Sequence, residues 1–388
     1  MKILNTITWS FALTAVSVLT SCQDVVNYDE GYDDSMSSHG VPSIAAIYDA
    51  EDTALENPLA EAAFEDMIML KGENLSSVKK VIMNDVEVPL SEIYATAKAA
   101  YFPIPRQIPN EINNKLYYET VLGSTSYDFV VKVPEVQIMG LYNEFAMPGD
   151  SVKVEGAFFD LYGFGVENAS STIRMNGTDL KVDSITSQYM SVVIPENATD
   201  NSAIVFSWTG TEGVESVSVP YRSTSSILWD LSRPEDYGFW AGTEMITDGT
   251  GENEPEALNG PYFRVSGSYQ AWSWNNLLCG GCDISSDAAA NPFDYWFKFE
   301  VNSAAGCPFY DSGNVGYIVQ LNGGQYAWNP SKSGSFNTYG NWCTIRLDLA
   351  ALATNGLNAG WNNLCWIMQP NSNWTVNHSF ANIRIEKK

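Results

Sequence analysis

Histidine is almost missing from this chain: His39 and His378 are the two in 388 residues. Proton transfer near neutral pH and metal ligation lean on that side chain, so chemistry built on it has little to work with. Basic residues are also scarce, 20 Lys and Arg against 46 Asp and Glu, for a net charge of −26. No basic stripe exists to neutralise phosphates, which sets nucleic acid aside as a partner. GxSxG, Walker and HExxH sequences are absent, and the fingerprint begun by Gly163-Phe164-Gly165 fails at Asn168. Long apolar runs are lacking too. Ile3 to Leu19 is interrupted by Asn5, Thr6, Thr8 and Ser10, too short and mixed for a comfortable membrane span.

What the N-terminus does hold is an address. Lys2 gives a positive start, and the apolar stretch ends in Leu19-Thr20-Ser21-Cys22. That ending resembles a bacterial lipobox, which implies a signal peptide over residues 1–22, acylation of Cys22 and a lipid anchor in an outer membrane. Residues 23–41 are acidic, with Asp24, Asp29, Glu30, Asp33 and Asp34 among serines and glycines, and read as a flexible tether.

From residue 42 to 134 short apolar runs alternate with turns, and a similar order recurs over 135–222. "LKGENLSSVKKVIMNDVEV" is echoed by "VKVEGAFFDL" and "STIRMNGTDL", each ending at a tight polar turn. These stretches resemble immunoglobulin-like modules of the IPT/TIG type, one β-sandwich per copy. The Ser91–Ala100 patch departs from the pattern and reads as a helical turn. Pro134 and Pro220 fall where one sandwich hands over to the next, and proline there stiffens the joint.

Composition changes after residue 222. Ten of the twelve tryptophans lie between Trp229 and Trp374, and residues 223–388 hold 15 acidic side chains against 8 basic. Strand candidates are Ile227–Leu231, Tyr262–Ser266, Tyr295–Val301, Tyr317–Leu321, Thr344–Leu349, Leu364–Met368 and Ser379–Ile385, most of them alternating, with the first and last pairing to close the domain. The expected fold is therefore all-β: two tandem Ig-like sandwiches followed by a larger jelly-roll-like sandwich. "ILWDL", "NGPYFRVSG", "FKFEVN", "YAWNP", "NWCTIRLDL" and "FANIRI" occur in that order. The order resembles the C-terminal module of surface glycan-binding proteins from Bacteroidetes polysaccharide-utilisation systems. The last motif departs from the family in carrying Ala381-Asn382 where an aspartate is usual. The resemblance implies a non-catalytic cell-surface lipoprotein that captures a neutral polysaccharide for a neighbouring importer. The family leans towards β-glucans such as xyloglucan or mixed-linkage glucan. An adhesin or structural surface protein is the alternative, and a glycoside hydrolase a more distant one.

A sugar ring lays its C–H face on an exposed aromatic, so the aromatics that face outward are the candidates. In Tyr295–Val301, alternation sends Trp296 outward with Lys298 and Glu300, and Phe297, Phe299 and Val301 inward. Trp272 and Trp274 share one face at about 7 Å if the segment is extended; the alternative is that both are core. Tyr326 and Trp328 repeat that spacing, at the place where the xyloglucan-binding family presents stacking aromatics. Asn276 and Asn329 are the nearby amides chosen to bond hydroxyls. Trp229, Trp342 and Trp366 read as core, while Trp240, Trp361 and Trp374 cannot be placed.

After Cys22 five cysteines remain, an odd number, so at least one stays free or bridges another chain. Cys279-Gly280-Gly281-Cys282 has metal spacing but neither a second CxxC nor a His partner. Packed thiols or one bridge are expected, with no metal and no cofactor. Hydrolysis of a glycoside needs two carboxylates across a bond. Of the acids in the C-terminal region, most crowd the Thr247–Glu256 loop, which reads as solvated.

Overall fold

The computed structural model describes residues 37–166, 169–211, 213–309, 316–330 and 336–388. Cys22 and most of the tether lie outside them. Among the described residues the chain is nearly all β, and no helix is long and apolar enough to cross a membrane. It divides into two compact units, Met1–Pro134 and Glu135–Lys388.

The first unit is a sandwich of two four-stranded sheets. One runs Ser43–Asp49, Met67–Glu73, Ala99–Pro103, Tyr94–Ala95; the other Val86–Glu87, Val78–Met83, Lys115–Thr120, Gly123–Asp128. Alternation turns Ile47, Ile68, Leu70, Phe102, Leu116 and Tyr118 into the shared core. The expected helical turn is a three-residue 3-10 turn at Leu90–Glu92, after which the chain returns to strands.

The second unit begins with another such sandwich, its sheets running Gln137–Leu141, Ser151–Ala157, Tyr189–Val193, Val182–Ile185 and Thr178–Asp179, Thr172–Met175, Ser202–Gly210, Gly213–Tyr221. The repeat shows at single residues. A Cβ on Gly72 would lie 1.9 Å from the Ser43 carbonyl oxygen, and one on Gly156 1.9 Å from that of Gln137. Each glycine lets two strands close where no side chain fits. Asn84 and Asn176 both take positive φ, 56° and 49°, at the hairpin turns. Pro220 is not a linker residue: it pairs with Ala203 on the edge strand Gly213–Tyr221, where a missing N–H is tolerated.

The C-terminal sandwich packs a five-stranded sheet (Ile246–Thr247, Tyr262–Tyr269, Trp374–Lys387, Tyr295–Ser303, Cys343–Asp348) on a four-stranded one (Asn275–Ile284, Gly360–Met368, Tyr317–Leu321, Gly324–Trp328). Its core is aromatic: Phe263, Phe297, Phe299, Phe309, Trp328, Trp366 and Phe380 meet mostly edge to face. Ile227–Leu231 forms no strand, only a bridge between Ile227 and Arg384 with the Leu228 N–H donating to the Ile383 carbonyl at 2.7 Å. The strand Asn275–Ile284 escaped the sequence reading because its glycine pair looks like a turn.

Lys298 and Glu300 do point away from this core, yet they do not reach water; they are 3% and 0% exposed. Register aligns Arg384, Lys298 and Arg346 across three strands, and Glu144 of the preceding sandwich plugs that row. Its carboxylate accepts from Arg384 Nη2 at 2.6 Å, Lys298 Nζ at 3.1 Å and Arg346 Nη2 at 3.0 Å. Glu300 and Glu386 also pair with Arg384, at 2.9 and 2.7 Å. Three acids thus meet three bases in a cluster that is buried except for the half-buried Arg346. Burial alone would raise Glu144, but the three cations overcome it and hold its carboxyl at about 2. Gly140 permits the approach, since a Cβ there would meet Arg346 at 2.4 Å. One outer face of the C-terminal sandwich is therefore occupied by its own neighbour.

Candidate glycan-binding face

The outer face of the four-stranded sheet is the other one. Along Gly360–Met368, the core takes Leu364, Trp366 and Met368, so the alternate residues lie on the other side. There Trp361 and Asn363 are exposed, and Cys365 and Ile367 join Cys279 in a small buried cluster against Ala241 and Ile318. Ile318, Gln320, Gln325 and Ala327 follow on the next two strands by the same parity. A bulge between Asn276 and Leu278 resets the parity of the Asn275–Ile284 strand. Cys279 and Gly281 then face out with Asn276, while Leu278, Cys282 and Ile284 enter the core.

The Cys-Gly-Gly-Cys run is explained by this alternation. Cys279 bonds Cys365, its register partner, across the outer face. Cys282, three residues on, is on the opposite side in the core, where burial pushes its thiol up to about 12. The two therefore cannot share a metal. Cys343 is likewise a buried thiol and Cys307 a half-buried one. Gly280 accommodates Phe239, which a Cβ would meet at 2.5 Å. Gly281 seats Trp361: a Cβ there would lie 1.7 Å from the indole. Trp361 thus lies down on backbone and remains 51% exposed.

Three more exposed tryptophans surround this face. Trp274, 46% exposed, enters the first strand and donates its indole N–H to Asn276 Oδ1 at 3.1 Å. Trp240, 54% exposed, donates its N–H to the Cys279 carbonyl at 3.0 Å on the sheet edge. Trp272, 69% exposed, tops the turn before Trp274 with φ 62°, so the two do not form the extended pair expected of them. The strand register separates Trp274 from Trp361 by roughly eight ladder positions, or about 25 Å. Asn276, Asn363, Gln320 and Gln325 lie between, with donors and acceptors for hydroxyls.

Other expected site residues fall elsewhere. Trp328 is 4% exposed and packs on Phe299 and Phe309, and Tyr326, on the same parity, leans into the core. The i, i+2 spacing was correct and the face was wrong, because the exposed positions of that strand are Gln325 and Ala327. Trp296 is half-buried on the opposite, five-stranded sheet, with Lys388 Nζ 4.4 Å from its ring centre. Asn329 is exposed just beyond the last strand of the four-stranded sheet. Trp229, Trp342 and Trp366 are core, as is Trp374. Trp361 was findable: once Trp366 is inward, odd parity sends Trp361 out. His378 is wedged beside Phe309, its Nε2 on the Cys307 carbonyl and its Nδ1 on Tyr317 Oη, both 2.8 Å. Burial lowers it to about 4, so it is a neutral core residue. Among the described residues no group of three His, Cys, Asp or Glu could hold a metal ion. A separate cleft of about 860 Å³ between the second and third sandwiches is lined by Tyr142, Lys153, Glu256 and Trp342 and borders none of the exposed tryptophans.

A two-sheet sandwich with one face docked to its neighbour and the other paved with exposed indoles and amides is a carbohydrate-binding domain by class. Residues 221–387 match the family model of the surface glycan-binding protein B xyloglucan binding domain. Among solved structures, surface glycan-binding protein PbSGBP-B from Prevotella bryantii is 18% identical, with 90% of this chain and 99% of that one covered and a TM-score of 0.54, a likeness of fold. SGBP-B from a xyloglucan utilization locus of Bacteroides uniformis is 16% identical over 89% and 99%, with a TM-score of 0.45. Among curated proteins, none matches the chain.

Proposed function

We propose that the chain is a non-catalytic, lipid-anchored glycan-binding protein of the outer cell surface, holding a neutral β-glucan along the outer face of the four-stranded sheet. The observation that carries this is the seating of Trp361 on Gly281, with Trp274 at the far end of the same face and amides between. An exposed indole laid on a sheet costs solubility unless something covers it. Two tryptophans about 25 Å apart along one strand direction suit an extended β-1,4 backbone. Xyloglucan and mixed-linkage glucan are the expected ligands, passed on to a neighbouring importer. Affinity electrophoresis of residues 23–388 through gels of xyloglucan, mixed-linkage glucan, galactomannan, laminarin or starch tests it. Retardation in a β-glucan gel that is strongly reduced in Trp274→Ala and Trp361→Ala is expected. No retardation in any gel makes adhesion the better reading, and release of reducing sugar would make it an enzyme.

A further inference from the structure

The first sandwich carries an aromatic row of its own. Across its Ser43–Asp49 sheet, register places Tyr48, Met69, Tyr101 and Tyr94 side by side on four successive strands. Their neighbours Ile47, Ile68, Leu70, Ala100 and Phe102 fill the core, so the row faces outward. Tyr94 is 53% exposed and its ring lies 6.2 Å from that of Tyr101. Met69 is 3% exposed although it faces outward, with Tyr48 and Tyr101 on either side of it. The row is thus closely filled, with no gap between its rings at Met69.

Two internal comparisons show that this face is unusual. The opposite sheet of the same sandwich is ordinary: Lys80 stands in register with Glu119 and pairs with Glu87 at 3.6 Å. In the repeat, the positions matching Met67, Met69 and Lys71 on the strand are Ser151, Lys153 and Glu155, and Ser191 matches Tyr101. The second copy also carries tyrosines on this face, Tyr142 against Lys153 and Tyr189 against Glu155, but there they alternate with charge, with Lys153 Nζ 5.0 Å from the Tyr189 ring. In a chain of net charge −26, the row itself carries no charge, and the next outward position on its strand is Lys71. An anionic partner finds one cation, Lys71, beside the row and no charge within it. A neutral polymer with C–H faces and hydroxyls does find rings and phenol oxygens.

We propose that this row is a second binding site for neutral polysaccharide, independent of the C-terminal face. The test is made in the full mature chain. Trp274→Ala/Trp361→Ala removes the first site; residual retardation by long polysaccharide, abolished on adding Tyr94→Ala/Tyr101→Ala, is the expected result. In the otherwise intact chain the tyrosine pair lowers affinity for polymer several-fold and leaves affinity for a short oligosaccharide at the tryptophan face unchanged. Met67→Glu, which puts a carboxylate on the same exposed face without removing a ring, gives the same loss and guards against a folding artefact. If binding persists with tryptophans and tyrosines all gone, both assignments are overturned; if the tryptophan double variant binds nothing, the proposal is overturned while the C-terminal reading stands. A shift in sedimentation with no change in polymer binding would show a protein occupant and overturn it as well.

Discussion

The two outer faces of the C-terminal sandwich invert the usual distribution of residues. On one, Lys298, Glu300, Arg384 and Glu386 are buried; on the other, Trp240, Trp274 and Trp361 are exposed. Charged side chains rarely go fully inside unless paired, and large aromatics rarely stay wholly outside. Both exceptions mark an interface. The charged face has its partner within the chain, the second sandwich with Glu144. The aromatic face awaits one. Specific pairing of charges suits a fixed joint between domains, whereas stacking tolerates a polymer that must bind and leave.

The comparison is most severely tested at Glu144. Glu144→Gln leaves Lys298, Arg346 and Arg384 buried without their shared carboxylate. Removing one side of a buried ion cluster costs about 3–5 kcal/mol. Thermal unfolding followed by tryptophan emission, which reports chiefly on the C-terminal sandwich, is expected to show a Tm lowered by many degrees. Glycan affinity at 20 °C is expected to stay as it was. Loss of binding with unchanged Tm would mean that the two faces are not separate in function.

On the aromatic face the sign is reversed. Trp361→Ala or Trp274→Ala is expected to weaken β-glucan binding by about 1.5–3 kcal/mol from lost apolar contact, measured by calorimetry. Tm should barely move. Trp328→Ala is expected to do the opposite, since that ring is core and its removal costs about 3–5 kcal/mol of stability. Gly281→Ala sharpens the point further. It replaces no aromatic residue, but its Cβ must lift Trp361 off the sheet, so part of the binding contributed by Trp361 is lost.

How much of this was legible in advance follows from what each pattern encodes. The repeat was readable because Gly72 and Gly156 answer to the same backbone clash, and the Phe297, Phe299, Val301 stripe because alternation fixes it. Parity is relative, however. Tyr326 and Trp328 were rightly placed together and wrongly placed outside, because nothing in Tyr-Ala-Trp says which side carries the core. Lys298 and Glu300 were rightly turned away from their own core. Their burial depends on Glu144, distant in sequence, which no local pattern announces. Trp361 went unplaced because the glycine that seats it lies on another strand and reads, alone, as a turn.

The smallest effect expected is one of pH, and it also separates the faces. Complete burial pushes Glu300 up to about 7, against the pull of Arg384 and with Glu144 adding to the rise. Between pH 4.5 and 7 the folded chain holds a proton there that the unfolded chain has released, so stability falls as pH rises, by up to about 1.4 kcal/mol per unit. His378, lowered to about 4 by burial, acts the other way: the unfolded chain takes up a proton below 6.5 that the folded one refuses, and stability rises with pH from 4 to 6.5. The slopes nearly cancel, so the intact protein should show a flat Tm between pH 5 and 6.5. Glu300→Gln should unmask the rising slope of His378. His378→Asn should leave the falling slope of Glu300. Glycan affinity should follow neither, because Glu300 and His378 are buried away from the face that carries Trp274, Asn276, Asn363 and Trp361. A Glu300→Gln chain whose Tm stays flat over that range would show that neither Glu300 nor His378 couples its proton to folding.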